Sequence, residues 1–164
     1  MIQIGIDPGL TGAIAAIRGS DVILLEDAPV HRVGTKRVPD VVGMHCLVSQ
    51  ATGRLRGVGE NVFAVIETQQ AMPKQGVVGI FGLGRGYGLW EGMVAATLLP
   101  YELVRPQRWK KAMLDGLDKS SKASSRIAAG RLFPEADLGK RKDNGRADAL
   151  LIAAFAQRVL CGEG

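Results

Sequence analysis

Residues 1–17, which read MIQIGIDPGLTGAIAAI, decide the fold of this chain. In Ile2–Ile6 isoleucine alternates with Gln or Gly, a spacing that predicts a β-strand with one strongly apolar face. The turn at Asp7–Thr11 contains Pro and Gly, which end a strand, and a second strand is predicted over Gly12–Ile17. Asp7 therefore follows a buried strand directly. Either it serves only the turn, as Asp before Pro-Gly commonly does, or it faces a functional site.

The size and composition of the chain predict one folded domain, spanning 1–164. The sequence is 46% apolar and 23% charged, which is typical of a folded globular protein. No apolar run approaches the roughly 20 residues that span a bilayer, and the first residues lack a secretory pattern. We therefore expect a cytoplasmic protein without a membrane partner. Cys46 and Cys161 lack metal-binding spacing and are expected to be buried, reduced thiols rather than zinc ligands.

Positive charge is concentrated in the second half of the chain. The segment Arg105–Arg146 contains 12 of the 21 Lys and Arg residues but only 5 of the 16 Asp and Glu residues. A solvated helix face can produce such a run. A polyanionic partner such as nucleic acid explains the uneven distribution better.

The first half of the chain continues the sheet. A third strand is predicted over Asp21–Glu26, and the proline- and charge-rich Asp27–Pro39 is predicted to be an exposed loop. Asp40 can cap a helix that runs to about Arg56. Five successive apolar residues in Val62–Glu67 then indicate a strand buried on both faces, which places Glu67, like Asp7, at the end of a central strand.

A glycine-rich segment, Gly76–Gly92, follows. Its glycines recur at spacings of three and four residues, so on a helix they would form a small-residue face that lets another element approach closely. Each glycine disfavours a helix by about 1 kcal/mol relative to alanine. We therefore expect this face to pack against a second helix, within the chain or in a dimer; a glycine loop is the alternative.

The basic half is predicted to hold a short strand, three helices and a flexible connector. The predicted bounds are a strand at Pro100–Val104, a helix from Arg105–Lys111, a helix at Lys119–Phe133 with Lys122 and Arg126 on its polar side, a connector at Pro134–Lys142, and an apolar helix that begins within Asp143–Asp148. A helix so uniformly apolar is buried. Asp148 near its beginning either favours the helix dipole or serves a site.

Three acids thus stand at ends of buried elements: Asp7, Glu67 and Asp148. Clustered carboxylates repel one another unless cations lie between them, and oxygen ligands favour hard ions such as Mg²⁺ or Mn²⁺. Two such ions about 3.5–4 Å apart can activate a water and stabilise the leaving oxygen of a phosphodiester. The sequence contains no P-loop and no Ser/His/Asp set. It therefore favours a metal-dependent nuclease without a small-molecule cofactor.

The chain also resembles RuvC-type Holliday-junction resolvases, especially their compact phage-like branch, which have a ribonuclease-H-like fold. The motifs that carry the resemblance are IGIDPG at 4–9, VIE at 65–67, PQRWKK at 106–111, LFP at 132–134 and RADALLIA at 146–153. Their order and spacing extend over nearly the whole chain. The resemblance implies an α/β fold with a mixed five-stranded sheet flanked by helices.

By this resemblance the protein is a homodimeric endonuclease that nicks two opposing strands of a four-way junction. Asp7, Glu67 and Asp148 would then be ligands of two Mg²⁺ ions, with Mn²⁺ as a substitute. The segment Gly76–Leu98 would correspond to the dimer helix. The residues in the region that contacts phosphates would be Lys110, Lys111, Lys119, Lys122 and, on the same helix, Arg126.

The sequence departs from the pattern of that family at two places. Relatives usually have a fourth acid or a histidine three or four residues before the last aspartate, where this chain has Gly145 and Asn144, with Asp143 one step earlier. Either Asp143 replaces that ligand or the site is impaired, in which case the protein would bind branched DNA without cutting it. The aromatic residue that many relatives have after the second acid is absent from Gln69–Met72.

Overall fold

The computed structural model describes residues 1–56, 59 and 61–162, without the side chains of residues 53–56, 122 and 141. Its strands are β1 (Ile2–Asp7), β2 (Ala13–Arg18), β3 (Asp21–Asp27), β4 (Val30–Val33), β5 (Lys36–Pro39), β6 (Val62–Glu67) and β7 (Tyr101–Val104). Five of them form one sheet in the order β3-β2-β1-β6-β7. β1 pairs with β2 antiparallel and with β6 parallel, so the sheet is mixed, as predicted.

The predicted loop at Asp27–Pro39 is wrong, because β4 and β5 form a separate two-stranded hairpin there. Two prolines and several cationic side chains suggested an irregular segment. The prolines stand outside the paired interior: Pro29 precedes β4, and Pro39 is the last residue of β5. At those positions proline does not interrupt a two-stranded ladder.

Helices cover both faces of the sheet. They are α1 (Val41–Arg56), α2 (Val77–Ala96), α3 (Pro106–Met113), α4 (Lys122–Leu132) and α5 (Asn144–Phe155), followed by a π-helical turn at Ala156–Leu160. One core cluster packs α1 and α2 against one face, and the other packs α3, α4 and α5 against the opposite face. Because β1 and β2 are covered on both sides, their strand interiors are buried throughout.

Two glycines let α5 lie directly on the sheet. A Cβ on Gly5 of β1 would overlap the carbonyl oxygen of Ala149, and a Cβ on Gly145 of α5 would overlap the carbonyl oxygen of Thr11. The first turns of α5 therefore touch the backbone of β1 and of the turn that joins β1 to β2. This close approach carries Asp148 to the end of β1.

The glycine-rich segment is the helix α2, so the loop alternative is wrong. In the described part of the chain, this small-residue face is unpacked at Gly79 and Gly82, where a Cβ would meet nothing within 4 Å, whereas Gly86 is buried and its Cβ would lie 3.6 Å from the carbonyl oxygen of Pro8. Val77, Val78 and Phe81 are 74–83% exposed on the same helix. Despite its apolar character, neither α2 nor any other described helix is long and apolar enough to cross a membrane.

Several local boundaries differ from the prediction. α4 begins at Lys122 rather than at Lys119, because the side chain of Ser121 caps it by accepting a hydrogen bond from the Ala123 N–H. The connector before α5 ends in a 3₁₀ turn at Arg141–Asp143. Cys46 is exposed rather than buried. The predicted cap of α1 is confirmed, since Asp40 Oδ1 accepts a hydrogen bond from the Gly43 N–H at 3.0 Å.

Candidate active site

The register of the two central parallel strands brings Asp7 and Glu67 together. Ile6 of β1 is the partner of Ile66 of β6, so each acid is the next residue on its strand. Neighbouring strands lie about 4.8 Å apart. α5, which packs on one face of the sheet, places Asp148 at the same edge. The three acids predicted from the sequence therefore belong to one region, at the carboxyl ends of the central parallel strands.

The three carboxylates influence one another electrostatically. Burial, together with the charges of Glu67 and Asp148, raises the pKa of Asp7 to about 7. Burial also raises the pKa of Glu67, with a contribution from Asp148. The pKa of Asp148 is raised by burial, although a hydrogen bond with Ser125 opposes the rise. Such a concentration of negative charge in a partly desolvated place is unfavourable without a cation.

A buried indole fixes the position of Glu67. Trp109 of α3 is fully buried, and its Nε1–H donates a hydrogen bond to Glu67 Oε2 at 2.6 Å. The amide of Gln69 donates to Glu67 Oε1 at 3.2 Å. Trp109 thus packs α3 into the core and also holds an acid of the candidate site.

Asp7 and Asp148 line an open cleft of about 410 Å³, and Glu67 lies buried beside it. The other residues that line the cleft are Thr11, Lys110, Lys119, Ser120, Ser121, Ser125, Lys142, Asn144 and Gly145. Among the lysines, Lys110 lowers the pKa of all three acids. Its ammonium group also lies 5.2 Å from the centre of the Trp109 ring. The cleft is therefore lined both by the carboxylates of Asp7 and Asp148 and by three lysines, Lys110, Lys119 and Lys142.

The two candidates for a fourth ligand have different surroundings. Asp143 is 4% exposed and does not line the cleft; its Oδ2 accepts a hydrogen bond from the Lys140 N–H at 2.8 Å. Asn144 does line the cleft, and its buried Oδ1 has no hydrogen-bond partner. Asp148 Oδ1 is likewise buried without a partner. Buried polar atoms without partners are rare in folded proteins, and here two of them occur in one cleft.

The cationic residues predicted to bind nucleic acid are spread over α3, α4 and the segment between these helices. Lys110 and Lys119 line the cleft, whereas Lys111 is exposed outside it. Arg126 is half-buried and does not line the cleft. The side chain of Lys122 lies outside the described residues.

Sequence reasoning missed several residues that line the cleft. Lys142 was assigned to a flexible connector. It directly follows Lys140 and Arg141, and this run of cationic residues could have marked it as a candidate for binding phosphate. Ser120, Ser121 and Ser125 gave no signal, because serines around a helix start serve equally well as caps.

The donor chemistry of the cleft fits a hard divalent ion. All candidate ligands are oxygens, and the orphaned oxygens of Asn144 and Asp148 are free to accept a metal ion. In the described part of the chain, however, no three Asp, Glu, His or Cys side chains converge closely enough to form an ion site. The side chains nevertheless provide oxygen donors of the kind that such an ion prefers.

Comparison with known proteins identifies the fold. Neither a protein-family model nor a curated protein sequence matches the chain. A solved structure of Thermus thermophilus RuvC in complex with a Holliday junction substrate is 18% identical, with a TM-score of 0.67, covering 99% of this chain and 97% of that one. A second T. thermophilus RuvC structure is 20% identical, with a TM-score of 0.59 and 96% of each chain covered. This chain has the RuvC fold.

The RuvC fold is an RNase H-like fold, and its five-stranded mixed sheet agrees with the architecture predicted from the resemblance. At 18–20% identity the likeness establishes the fold alone. Within this RuvC fold, the function of the cleft has to be argued from its own residues.

Proposed function

We propose that the protein is a metal-dependent, structure-selective DNA endonuclease that resolves four-way junctions by paired symmetric nicks as a homodimer. The observation that supports this most is that Asp7 and Asp148 line one cleft together with Lys110, Lys119 and Lys142, with Glu67 buried beside it. Acids of this kind suit divalent ions, and the lysines suit the phosphodiester backbone of a nucleic acid. The likeness to a RuvC bound to Holliday junction DNA supports branched DNA as the substrate.

In this mechanism Asp7, Glu67 and Asp148 would hold Mg²⁺ or Mn²⁺, with Asn144 as a neutral fourth donor. When bound there, such ions would activate a water and stabilise the charge on the leaving oxygen. The hydrogen bond from Trp109 fixes the position of the Glu67 carboxylate, which is buried beside the cleft. Outer-shell hydrogen bonds of this type orient ligands and tune the affinity for the ion.

The cationic side chains position the substrate. Lys110 lies close enough to the acids to influence all three, so it is suited to the phosphate next to the scissile bond. Lys119 and Lys142 line the same cleft and would hold neighbouring phosphates of the cut strand. Contacts to the backbone fix the register of DNA without reading its sequence.

A second candidate function is branched-DNA binding without cleavage. Asn144 supports it, because a neutral amide ligates a hard cation more weakly than a carboxylate does. The hydrogen bond of Asp143 to the Lys140 backbone also supports it, since that carboxylate is already occupied outside the cleft. Both functions share the DNA surface and differ only in the chemistry of the acids.

A substrate panel separates these functions. Purified protein is incubated with a four-way junction, a flap, a linear duplex and an RNA–DNA hybrid, in Mg²⁺ and in Mn²⁺, and binding is measured separately in EDTA. The nuclease proposal expects paired nicks in the junction that disappear in Asp7→Asn while binding persists. Junction binding without nicking, even in Asn144→Asp, would support the binding protein instead.

The exposed apolar residues of α2 support the dimer. Val77, Val78 and Phe81 would be buried by a second copy, and the exposed glycines beside them would let the two helices approach closely. Sedimentation should show a dimer at micromolar concentration and a shift towards monomer in Phe81→Ser. A monomeric wild-type protein, with and without DNA, would contradict the dimer.

A further inference from the structure

A second cationic surface lies outside the acidic cleft, on the hairpin formed by β4 and β5. The hairpin is exposed from residue 31 to residue 37, and this stretch contains His31, Arg32, Lys36 and Arg37. No acidic residue lies between Val30 and Pro39. The hairpin therefore presents three permanent positive charges and a histidine to solvent.

The pairing of the hairpin places two of these charges opposite each other. Arg32 and Arg37 are direct cross-strand partners. Like charges at directly opposite positions destabilise an antiparallel pair. Within the described residues, no carboxylate forms an ion pair with either arginine. An anion bound to this surface would relieve the repulsion, as phosphate groups do when they bind arginine.

The hairpin is attached to the turn that lines the cleft. Arg37 Nη2–H donates a hydrogen bond to the carbonyl oxygen of Leu10 at 2.7 Å. Leu10 belongs to the β1–β2 turn, whose flanking residues Asp7 and Thr11 line the cleft. The cationic hairpin is thereby held near the candidate active site rather than at a remote part of the surface.

The hairpin and the cleft lysines use different sides of this turn. Lys110 and Lys119 belong to the side of the sheet that carries α3, α4 and α5. His31 and Lys36 instead share a groove with Arg85 of α2 and with the start of α1, where Asp40 is the one acidic residue among those that line the groove in the described part of the chain. A single duplex segment held in the cleft can contact the cleft lysines only. Branched DNA has a second segment, which can contact the cationic residues of the hairpin.

We propose that the β4–β5 hairpin binds the sugar–phosphate backbone of a second arm of branched DNA, while the cleft holds the arm that is cut. This inference rests on the proposed function for the identity of the ligand. It adds a binding surface and an explanation for selectivity: linear DNA would engage the cleft alone. Arg32 and Lys36 would contact phosphates, and Arg37 would keep the hairpin against the β1–β2 turn.

The test compares two double variants that remove the same charge. Arg32→Gln with Lys36→Gln changes the hairpin and leaves the Arg37 hydrogen bond intact. Arg131→Gln with Arg158→Gln removes two exposed cations from the last turn of α4 and from the π-helical turn, both away from the cleft. Circular dichroism and thermal unfolding first establish that both variants fold like the wild type.

Binding is then measured in EDTA over a range of salt concentrations, with a four-way junction and a linear duplex of equal arm length. For the hairpin variant we expect about tenfold or more weaker junction binding near ~0.1 M salt, and a salt slope reduced by about 1 for each phosphate that the variant no longer neutralises. The control variant should change junction affinity less than about twofold, as exposed cations that do not touch a phosphate contribute little at this salt concentration. Duplex binding should change little in either variant.

Other results would overturn the inference. Unchanged junction binding in the hairpin variant would mean that these cations serve only solubility or edge protection. An equal weakening of junction and duplex binding would mean that the hairpin and the cleft hold the same segment, which contradicts a second arm.

A photo-crosslink provides a second measurement that does not depend on affinity. Val33 at the hairpin tip is 61% exposed and Val159 in the π-helical turn is 49% exposed, so each accepts p-benzoylphenylalanine without disturbing the core. Crosslinks to junction DNA are expected from position 33 and not from position 159. Absence of a crosslink at position 33 would contradict the inference.

Failure of this inference is distinguishable from failure of the nuclease proposal. All binding and crosslinking is done in EDTA, so it does not require cleavage. If the wild-type protein never nicks DNA but the hairpin variant binds the junction more weakly, the nuclease proposal is wrong and the hairpin site is supported. If the wild-type protein nicks junctions but the hairpin variant binds them as tightly as the wild type, the nuclease proposal is supported and the hairpin site is wrong.

Discussion

Both the helix beside the acidic cleft, α5, and the exposed face of α2 contain glycines, which destabilise a helix. The packing of the described residues explains the glycine only in α5. Gly145 weakens the start of α5, and in return it lets the helix touch the carbonyl of Thr11. Gly79 and Gly82 weaken α2 in the same way, and their faces are open. The same residue type thus has an internal reason in one helix and none in the other.

This difference shows how an unfavourable residue can be interpreted. Where a neighbour within the chain occupies the space, the residue serves the fold and, through the fold, the position of Asp148. Where nothing within the described chain occupies the space, the packing of the chain gives no reason for the residue, and the proposed dimer would supply one. Phe81, 74% exposed on the same helix, points in the same direction.

The largest effect is expected from Asp148→Asn. This substitution should reduce junction cleavage by about a hundredfold or more, because bound metal ions supply several kcal/mol of transition-state stabilisation. Asp143→Asn is the matched control: it weakens the hydrogen bond to the Lys140 N–H and should lower stability while leaving most cleavage intact. Single-turnover cleavage measures both, and equal reductions would identify Asp143 as a ligand.

Trp109→Phe should weaken metal binding by about 10- to 100-fold, since the variant keeps an aromatic ring but removes the hydrogen bond to Glu67. Trp90→Phe is the control, because Trp90 is equally buried but packs on the opposite face of the sheet. Mn²⁺ affinity measured by electron paramagnetic resonance reports the effect directly. Similar Mn²⁺ affinities in the two variants would limit Trp109 to a packing role.

The free energy of unfolding should depend on pH through Asp7 when divalent ions are absent. Asp7 ionises near its ordinary pKa of 3.8 in the unfolded chain and near pH 7 in the folded one. Between these values the unfolded state binds fewer protons, so stability falls as the pH rises. Asp7→Asn should make this fall shallower, and Mg²⁺ should reduce it in the wild type. Thermal unfolding from pH 4 to pH 8 measures both; identical profiles would contradict the raised pKa.

The smallest effects come from a pair of identical substitutions that compares the two regions directly. Gly145→Ala should destabilise the protein by about 1–3 kcal/mol, because the new methyl group forces α5 away from the β1–β2 turn. Gly82→Ala should be neutral or stabilising by up to about 1 kcal/mol in the monomer, because alanine favours the helix and meets nothing.

Urea unfolding of both glycine variants, at a concentration where the protein is monomeric, gives the comparison. Equal stabilities would mean that α5 tolerates a larger separation from the sheet. A strong destabilisation in Gly82→Ala would mean that the face of α2 that carries Gly82 packs inside the monomer.

Much of the fold could be predicted because its signals are local. Alternation in β1, the apolar run of β6, Asp40 at the start of α1 and Pro106 in the first turn of α3 each depend on neighbouring residues only. The hairpin at Val30–Pro39 was missed because the prolines and cationic side chains there suggested an irregular segment, whereas its ladder is made of backbone hydrogen bonds, which side-chain composition does not report.

The candidate site was only partly predictable. Asp7, Glu67 and Asp148 could be found because each is a charged residue at the end of an apolar run. Lys142 and Ser125 could not, because residues of these types are common on any surface. The hydrogen bond between Trp109 and Glu67 joins positions 42 residues apart along the chain, and no local pattern specifies it.

By itself, the sequence determined the strands of the main sheet and the helices, but not the β4–β5 hairpin, and it determined which acids end buried elements and where positive charge is concentrated. These properties follow from hydrophobic periodicity and composition. Only the tertiary structure decided that Ile6 pairs with Ile66, that Gly5 and Gly145 let α5 reach the sheet, and that Asp143 is held by a backbone N–H while Asn144 faces the cleft. Those outcomes depend on register and close packing between distant segments, which are settled only when the whole chain folds.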